Sequence, residues 1–399
     1  MSTAVNTIGA PVFDGDLFTD DVLRNSGPVF KELRELGDVV WLSKLNMYAV
    51  PRYGDVMECL KASNTLICGK GVTCNEDLNR QSFPGASLLV TDKADGHDEL
   101  KKTVIAPLTL KAIPELRPRL KSAAQRIVSE LANSVEFEAM SALASYLPTH
   151  IVVDLIGIRG VTAELLLKWS TWEFDAFGPA SPKTNELIAK IDDLMSQSID
   201  LGRENFSEGG WADQLIKAGE SGKMELETAQ NLLIDYLVPS LDTTIYATGE
   251  MLYRLATVPA ALKTLQASPE LIPSFVTESV RMASPVRAFT RYVTEDFAVS
   301  ESILPANSRV LILFGSANRD ERHYTDPDTF DIGRDPRDQL AWGLGTHACL
   351  GKHLARAEME VLLETIVAQV NSIDIGVPTR AVNNALQGYE TLPLTLHTQ

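Results

Sequence analysis

The chain has 399 residues, 45% of them hydrophobic, and a formal net charge of −17, so it carries enough apolar material for a large core. Its acidity argues against nucleic acid or an anionic membrane surface as partner. No N-terminal apolar run approaches the ~20 residues that span a bilayer, and residues 1–14 lack a leader pattern, so a soluble, cytoplasmic protein is expected. In chain order, the first stretch reads as a short helix followed by strands. Val39-Val40-Trp41-Leu42 and Met47-Tyr48-Ala49-Val50 are β-type runs joined by a turn at Ser43-Lys44, and residues 55–63 read as a helix. Residues 64–91 carry little regular pattern and much Gly, Asn and Ser. A loop of that length in a compact fold is usually functional.

His97 and Lys101 stand one helical turn apart at the start of the next helix. Residues 112–222 are helical in pattern, with breaks near Gly157-Gly160, Gly178-Pro179 and Gly209-Gly210. Phe174 and Phe177 precede the second of these breaks. A long helix is then predicted over 225–256, interrupted in its middle by Val238-Pro239-Ser240-Leu241-Asp242-Thr243. A proline inside a helix costs ~3 kcal/mol, and functional sites commonly carry such a break. Another helix is expected over 258–283, with Glu278 and Arg281 on one face. Strands are expected at 286–291 and 310–314, and a turn at 383–388.

The most informative stretch is Trp342-Gly343-Leu344-Gly345-Thr346-His347-Ala348-Cys349-Leu350-Gly351, followed by an amphipathic run from Lys352. A sulfur near a helix N-terminus meets free amide donors that favour thiolate. The other cysteines, Cys59, Cys68 and Cys74, read as free thiols, because the spacing of the last two is not a usual zinc pattern.

This stretch resembles the cysteine-ligand loop of the cytochromes P450, with Trp342 where the family has phenylalanine. The helix break, Glu278-x-x-Arg281 and His97-x-x-x-Lys101 follow the family's order. The resemblance spans the whole chain. It implies one domain over 1–399, mainly α with a smaller β-rich lobe, holding haem b between the long central helix and the cysteine loop. It implies Cys349 as the iron ligand. It implies His97, Lys101, Arg291, Trp342 and His347 around the cofactor, although Lys101 lacks the fork of the family's arginine. An indole N–H from Trp342 to the sulfur would raise the iron potential.

The resemblance also implies dioxygen chemistry. Thr243 would hold the oxygen by hydrogen bond and Asp242 would relay protons from solvent. Glu278 and Arg281 would brace the fold. The substrate side would comprise Ser87, Leu88, Phe174, Phe177, Val238, Val286, Phe289 and Leu386.

Several segments are similar to the bacterial subgroup that oxidises para-substituted benzoic acids. Ser87 is kept from that subgroup's carboxylate clamp, but Pro84, Ile234, Asp235 and Val238 replace its other members. Either Arg287 replaces the clamp or the substrate is a neutral aromatic such as a phenol. The plainer reading of Arg287 is a propionate or structural partner. Electrons are expected from a [2Fe-2S] or other small ferredoxin with its NAD(P)H-dependent reductase. Lys352, His353 and Arg356, with Arg334 and Arg337, would form a basic docking patch. The alternatives are a peroxide-driven haem-thiolate enzyme and a ligand-sensing haem protein without turnover.

Overall fold

The computed structural model describes residues 6, 8–132, 134–198 and 203–398. Its smaller, β-rich part is a six-stranded sheet drawn from distant parts of the chain. The order is Val12–Phe13, Val40–Leu42, Met47–Val50, Arg309–Ile312, Phe289–Val293 and Leu66–Ile67. Val40–Leu42 and Met47–Val50 form a hairpin whose turn is closed by Asn46 at φ 51°. Asparagine tolerates this left-handed backbone better than most residues. Met47–Val50 then pairs in parallel with Arg309–Ile312, which pairs antiparallel with Phe289–Val293. Both central strands are buried on both faces, which explains their continuous apolar runs.

The larger part is helical. Ile113–Leu131 buries Leu120, Ala124, Ile127 and Val128 along one stripe, against the helix Lys352–Gln369. The expected breaks near 157–160 and 209–210 coincide with Gly157 at φ 78° and Gly209 at φ 79°. An additional break, at the strand Phe137–Glu138 and two π-helical turns over Met140–Ala144 and Pro148–Val152, was not anticipated.

The predicted long helix is not continuous. It is divided into Leu226–Asn231, Ile234–Leu237 and Asp242–Thr257. Hydroxyl groups take over the carbonyls at the main break. Ser240 donates to Tyr236 O at 2.6 Å, Ser170 to Val238 O at 2.6 Å and Thr243 to Pro239 O at 2.7 Å. The segment 258–283 is likewise two helices, Ala261–Ala267 and Ile272–Ala283, with Pro273 admitted in the first turn of the second.

Candidate active site

Glu278 and Arg281 are fully buried and joined twice, at 2.7 and 2.8 Å. Arg281 also donates to the carbonyls of Asn318 and Pro327. Glu278 further accepts from Arg334 Nε at 3.0 Å and from the Asp331 amide at 3.2 Å. The cluster thus ties the Ile272–Ala283 helix to the stretch that leads into the cysteine loop. Arg334 is consumed in it, and Arg337 is held by Asp335 at 2.7 Å. Of the expected basic patch, Arg337, Lys352, His353 and Arg356 remain outside the cluster, with Arg356 paired to Glu360 at 3.0 Å.

A cavity of about 460 Å³ lies between the cysteine loop and the broken helix. Cys349, Trp342, Leu350 and Leu354 form one side, and Pro239, Ser240, Thr243 and Ala247 the other. Cys349 is exposed only in the sense that it opens onto this cavity. Burial within the fold pushes its thiol up, while the amides of Gly351 and Lys352 oppose the shift. The loop is fixed by the Cys349 amide donating to Trp342 O at 2.8 Å. Gly343 and Gly345 adopt φ of 63° and 74°, and a side chain at Gly345 would lie 2.9 Å from Leu60 O.

One edge of the cavity carries His97, Arg291 and His347. The His97 and His347 rings stand 4.9 Å apart, edge to face. Both ring nitrogens of buried His347 lack a hydrogen-bond partner. Burial opposes its charge, yet Asp92, 3.6 Å away, lifts its pKa. Cys68 lies in the same cluster. Lys101, in contrast, does not line the cavity; its ammonium donates to Thr346 O at 2.8 Å and steadies the loop.

Of the acid–alcohol pair, Thr243 lines the cavity. Its proton is given to Pro239 O, so its oxygen is left to accept from whatever lies in the cavity. Asp242 is buried on another face of the helix and accepts from Thr171 at 2.9 Å. Burial raises its pKa to about 6, against the hydroxyls of Thr171 and Ser170.

Ser87, Leu88, Phe174, Phe177, Val238, Val286 and Phe289 all line the cavity. Two expected substrate contacts do not. Leu386 is buried behind Val286, to which it is joined by a β-bridge. Arg287 points elsewhere: one guanidinium nitrogen donates to Leu23 O, Asn383 O and Leu386 O at 3.0, 2.8 and 2.6 Å. It borders a separate space of about 30 Å³ behind Phe177 and Phe289.

Three acids line the cavity wall: Asp235, at a clamp position of the subgroup, and Glu173 and Glu358, which were not expected there. Asp235 accepts from Ser87 Oγ at 2.6 Å and from the Leu88 amide at 2.9 Å. Glu358 is fully enclosed, with one carboxyl oxygen unpartnered, and burial holds its pKa well above the carboxylate range. The signal was an acid inside an apolar run, since such residues are seldom buried without a role.

The chain matches the cytochrome P450 family over residues 165–371. It is 31% identical to cytochrome P450 CYP199A2 of Rhodopseudomonas palustris, across 97% of this chain and 95% of that one. It is 27% identical to cytochrome P450-terp of a Pseudomonas species, across 87% of each. Cytochrome P450 CYP109Q5 from Chondromyces apiculatus superposes with a TM-score of 0.79 at 28% identity, over 97% of this chain and 99% of that structure.

The chain belongs to the cytochrome P450 family. It is a haem b monooxygenase that uses dioxygen and an external electron donor. The residues present suit that cofactor: a thiol facing a broad apolar cavity, and at the cavity edge an arginine beside a histidine whose nitrogens await partners. When bound, the haem supplies dioxygen activation, which a sulfur donor promotes. Among the described residues, no helix is long and apolar enough to cross a membrane.

Proposed function

We propose that this monooxygenase hydroxylates or O-demethylates a small aromatic compound, with electrons delivered by a small ferredoxin. The observation that carries this reading is the wall facing the cysteine loop. Phe174 and Phe177 meet edge to face at 5.8 Å, and Phe177 and Phe289 lie 6.3 Å apart. Aromatic rings arranged this way favour an aromatic guest packed edge-on or offset. Cofactor and substrate share this one cavity, and the three rings line its substrate side.

In this reading Cys349 holds the iron, while His97, Arg291 and His347 hold the carboxylate edge of the cofactor. Lys101 acts through the loop. Thr243 accepts a hydrogen bond at the reacting oxygen, and Asp242 passes protons inward. A carboxyl poised near pH 6 suits that task, because it both gains and gives a proton near neutrality. The test is reconstitution with ferredoxin, reductase and NAD(P)H on para-methoxy aromatics. Cofactor-coupled release of formaldehyde is expected. Equal product formation with hydrogen peroxide alone would favour the peroxide-driven alternative, and substrate binding without turnover the sensing one.

The proton relay has its own check. Asp242→Asn is expected to slow product formation about 100-fold, with haem content and substrate affinity unchanged and a larger solvent deuterium isotope effect. Wild-type rates in that variant would remove Asp242 from the relay.

A further inference from the structure

Resting on the small-aromatic reading, we infer that Asp235 selects substrates whose polar end donates a hydrogen bond, a phenolic hydroxyl or an ammonium, and rejects carboxylates. The basic groups lining the cavity, among the described residues, are His97, Arg291 and His347, all on the cofactor edge. The substrate wall instead presents Asp235 and Glu173. Burial raises the pKa of each to about 6, which leaves both largely ionised at neutral pH.

The hydrogen bonds around Ser87 fix the polarity. Ser87 gives its proton to Asp235 at 2.6 Å and accepts from the Leu89 amide at 3.0 Å. Its hydroxyl proton is therefore not free for an incoming carboxylate. The Leu88 amide, a second donor that an anion could use, is also taken by Asp235. A benzoate would meet the Asp235 carboxylate and occupied donors in an apolar enclosure, and could bind only at the cost of protonating Asp235.

Asp235 has accepted one hydrogen bond on each oxygen, and a carboxylate has about four acceptor sites. It can therefore take a further O–H or N–H from a guest. Its position is rigid. Ile234–Leu237 is tied to the next helix layer by Tyr236 Oη donating to Val104 O at 2.7 Å. The flap turn is closed by Thr91 Oγ1 donating to Ser87 O at 2.7 Å. Arg287 lines no part of this cavity, and its Nη2 donates to three carbonyls behind the wall.

The experiment is a spin-state titration of the ferric holoenzyme with four ligands of like shape. They are para-methoxyphenol, para-methoxybenzylamine, para-methoxybenzoate and para-methoxytoluene. The wild type is compared with Asp235→Ser and Asp235→Asn, each checked for haem content. The phenol or the amine is expected to bind the wild type at least about tenfold more tightly than the benzoate. Asp235→Ser is expected to shrink or reverse that ratio by a similar factor through tighter benzoate binding. Benzoate binding the wild type as tightly as the phenol and the amine, or a ratio unchanged in both variants, overturns the inference. If the toluene ether binds as well as the donors, the inference fails while the small-aromatic reading stands. If none of the four shifts the spin state of any protein, both fail.

Discussion

Arg281→Ala is expected to destabilise the protein by ~3–5 kcal/mol, because it strands a buried carboxylate. Glu278 and Arg281 are both fully excluded from solvent, and the guanidinium also satisfies the carbonyls of Asn318 and Pro327. After truncation, Glu278 retains Arg334 and the Asp331 amide, which do not replace two direct bonds from a planar fork. The measurement is thermal unfolding of the holoprotein, together with haem retained after gel filtration. Arg281→Lys should recover little, since an ammonium cannot make the paired geometry. Pairing Arg281→Met with Glu278→Leu should recover part of the loss, because the buried carboxylate is removed together with its guanidinium, although Arg334 then loses its carboxylate partner. A fully stable, haem-loaded Arg281→Ala protein would show that the cluster contributes nothing to holding the loop.

Cys349→Ser is expected to abolish monooxygenase turnover, by more than about a thousandfold, since a hydroxyl does not supply the electron release of a thiolate. The side chain opens onto the cavity and its anchoring bonds are made by backbone, so the apoprotein fold should be unchanged. The check is the absorption of the reduced carbon monoxide complex, which reports the sulfur ligand directly, alongside circular dichroism of both proteins. Cys59→Ser and Cys74→Ser serve as controls. Burial pushes both thiols up, the second to about 12, and neither lines the large cavity. Retention of the thiolate spectrum in Cys349→Ser would transfer the ligand role to another residue.

The parts of this site that were legible in the sequence are those whose meaning is local. The cysteine loop carries its glycines, its cysteine and the following helix within a few residues, so its resemblance to the family's ligand loop, with the other motifs in order, identified it. The resemblance likewise placed Phe174, Phe177, Val286 and Phe289 toward the substrate, and all four line the cavity. What escaped depends on partners remote in sequence. Asp235 is defined by Ser87, 148 residues away, and read singly it showed only that a clamp was missing. The extent of the break at Pro239 depends on Ser170 reaching across from the preceding helix layer. Lys101 was expected at the cofactor, but a flexible ammonium settles on the nearest unpaired carbonyl, that of Thr346.

The three-way grip of Arg287 has a consequence for how the molecule is assembled. Its carbonyl partners lie 264 residues before it, at Leu23, and 96 and 99 residues after it, at Asn383 and Leu386. Closing loops of that length comes late in folding, because the entropy is lost before the contacts form. During synthesis the hold on Leu23 must therefore wait until Arg287 has emerged, and the holds on Asn383 and Leu386 until nearly the end of the chain. The wall behind Phe177 and Phe289 is thus sealed by the two ends of the chain, brought together on one guanidinium.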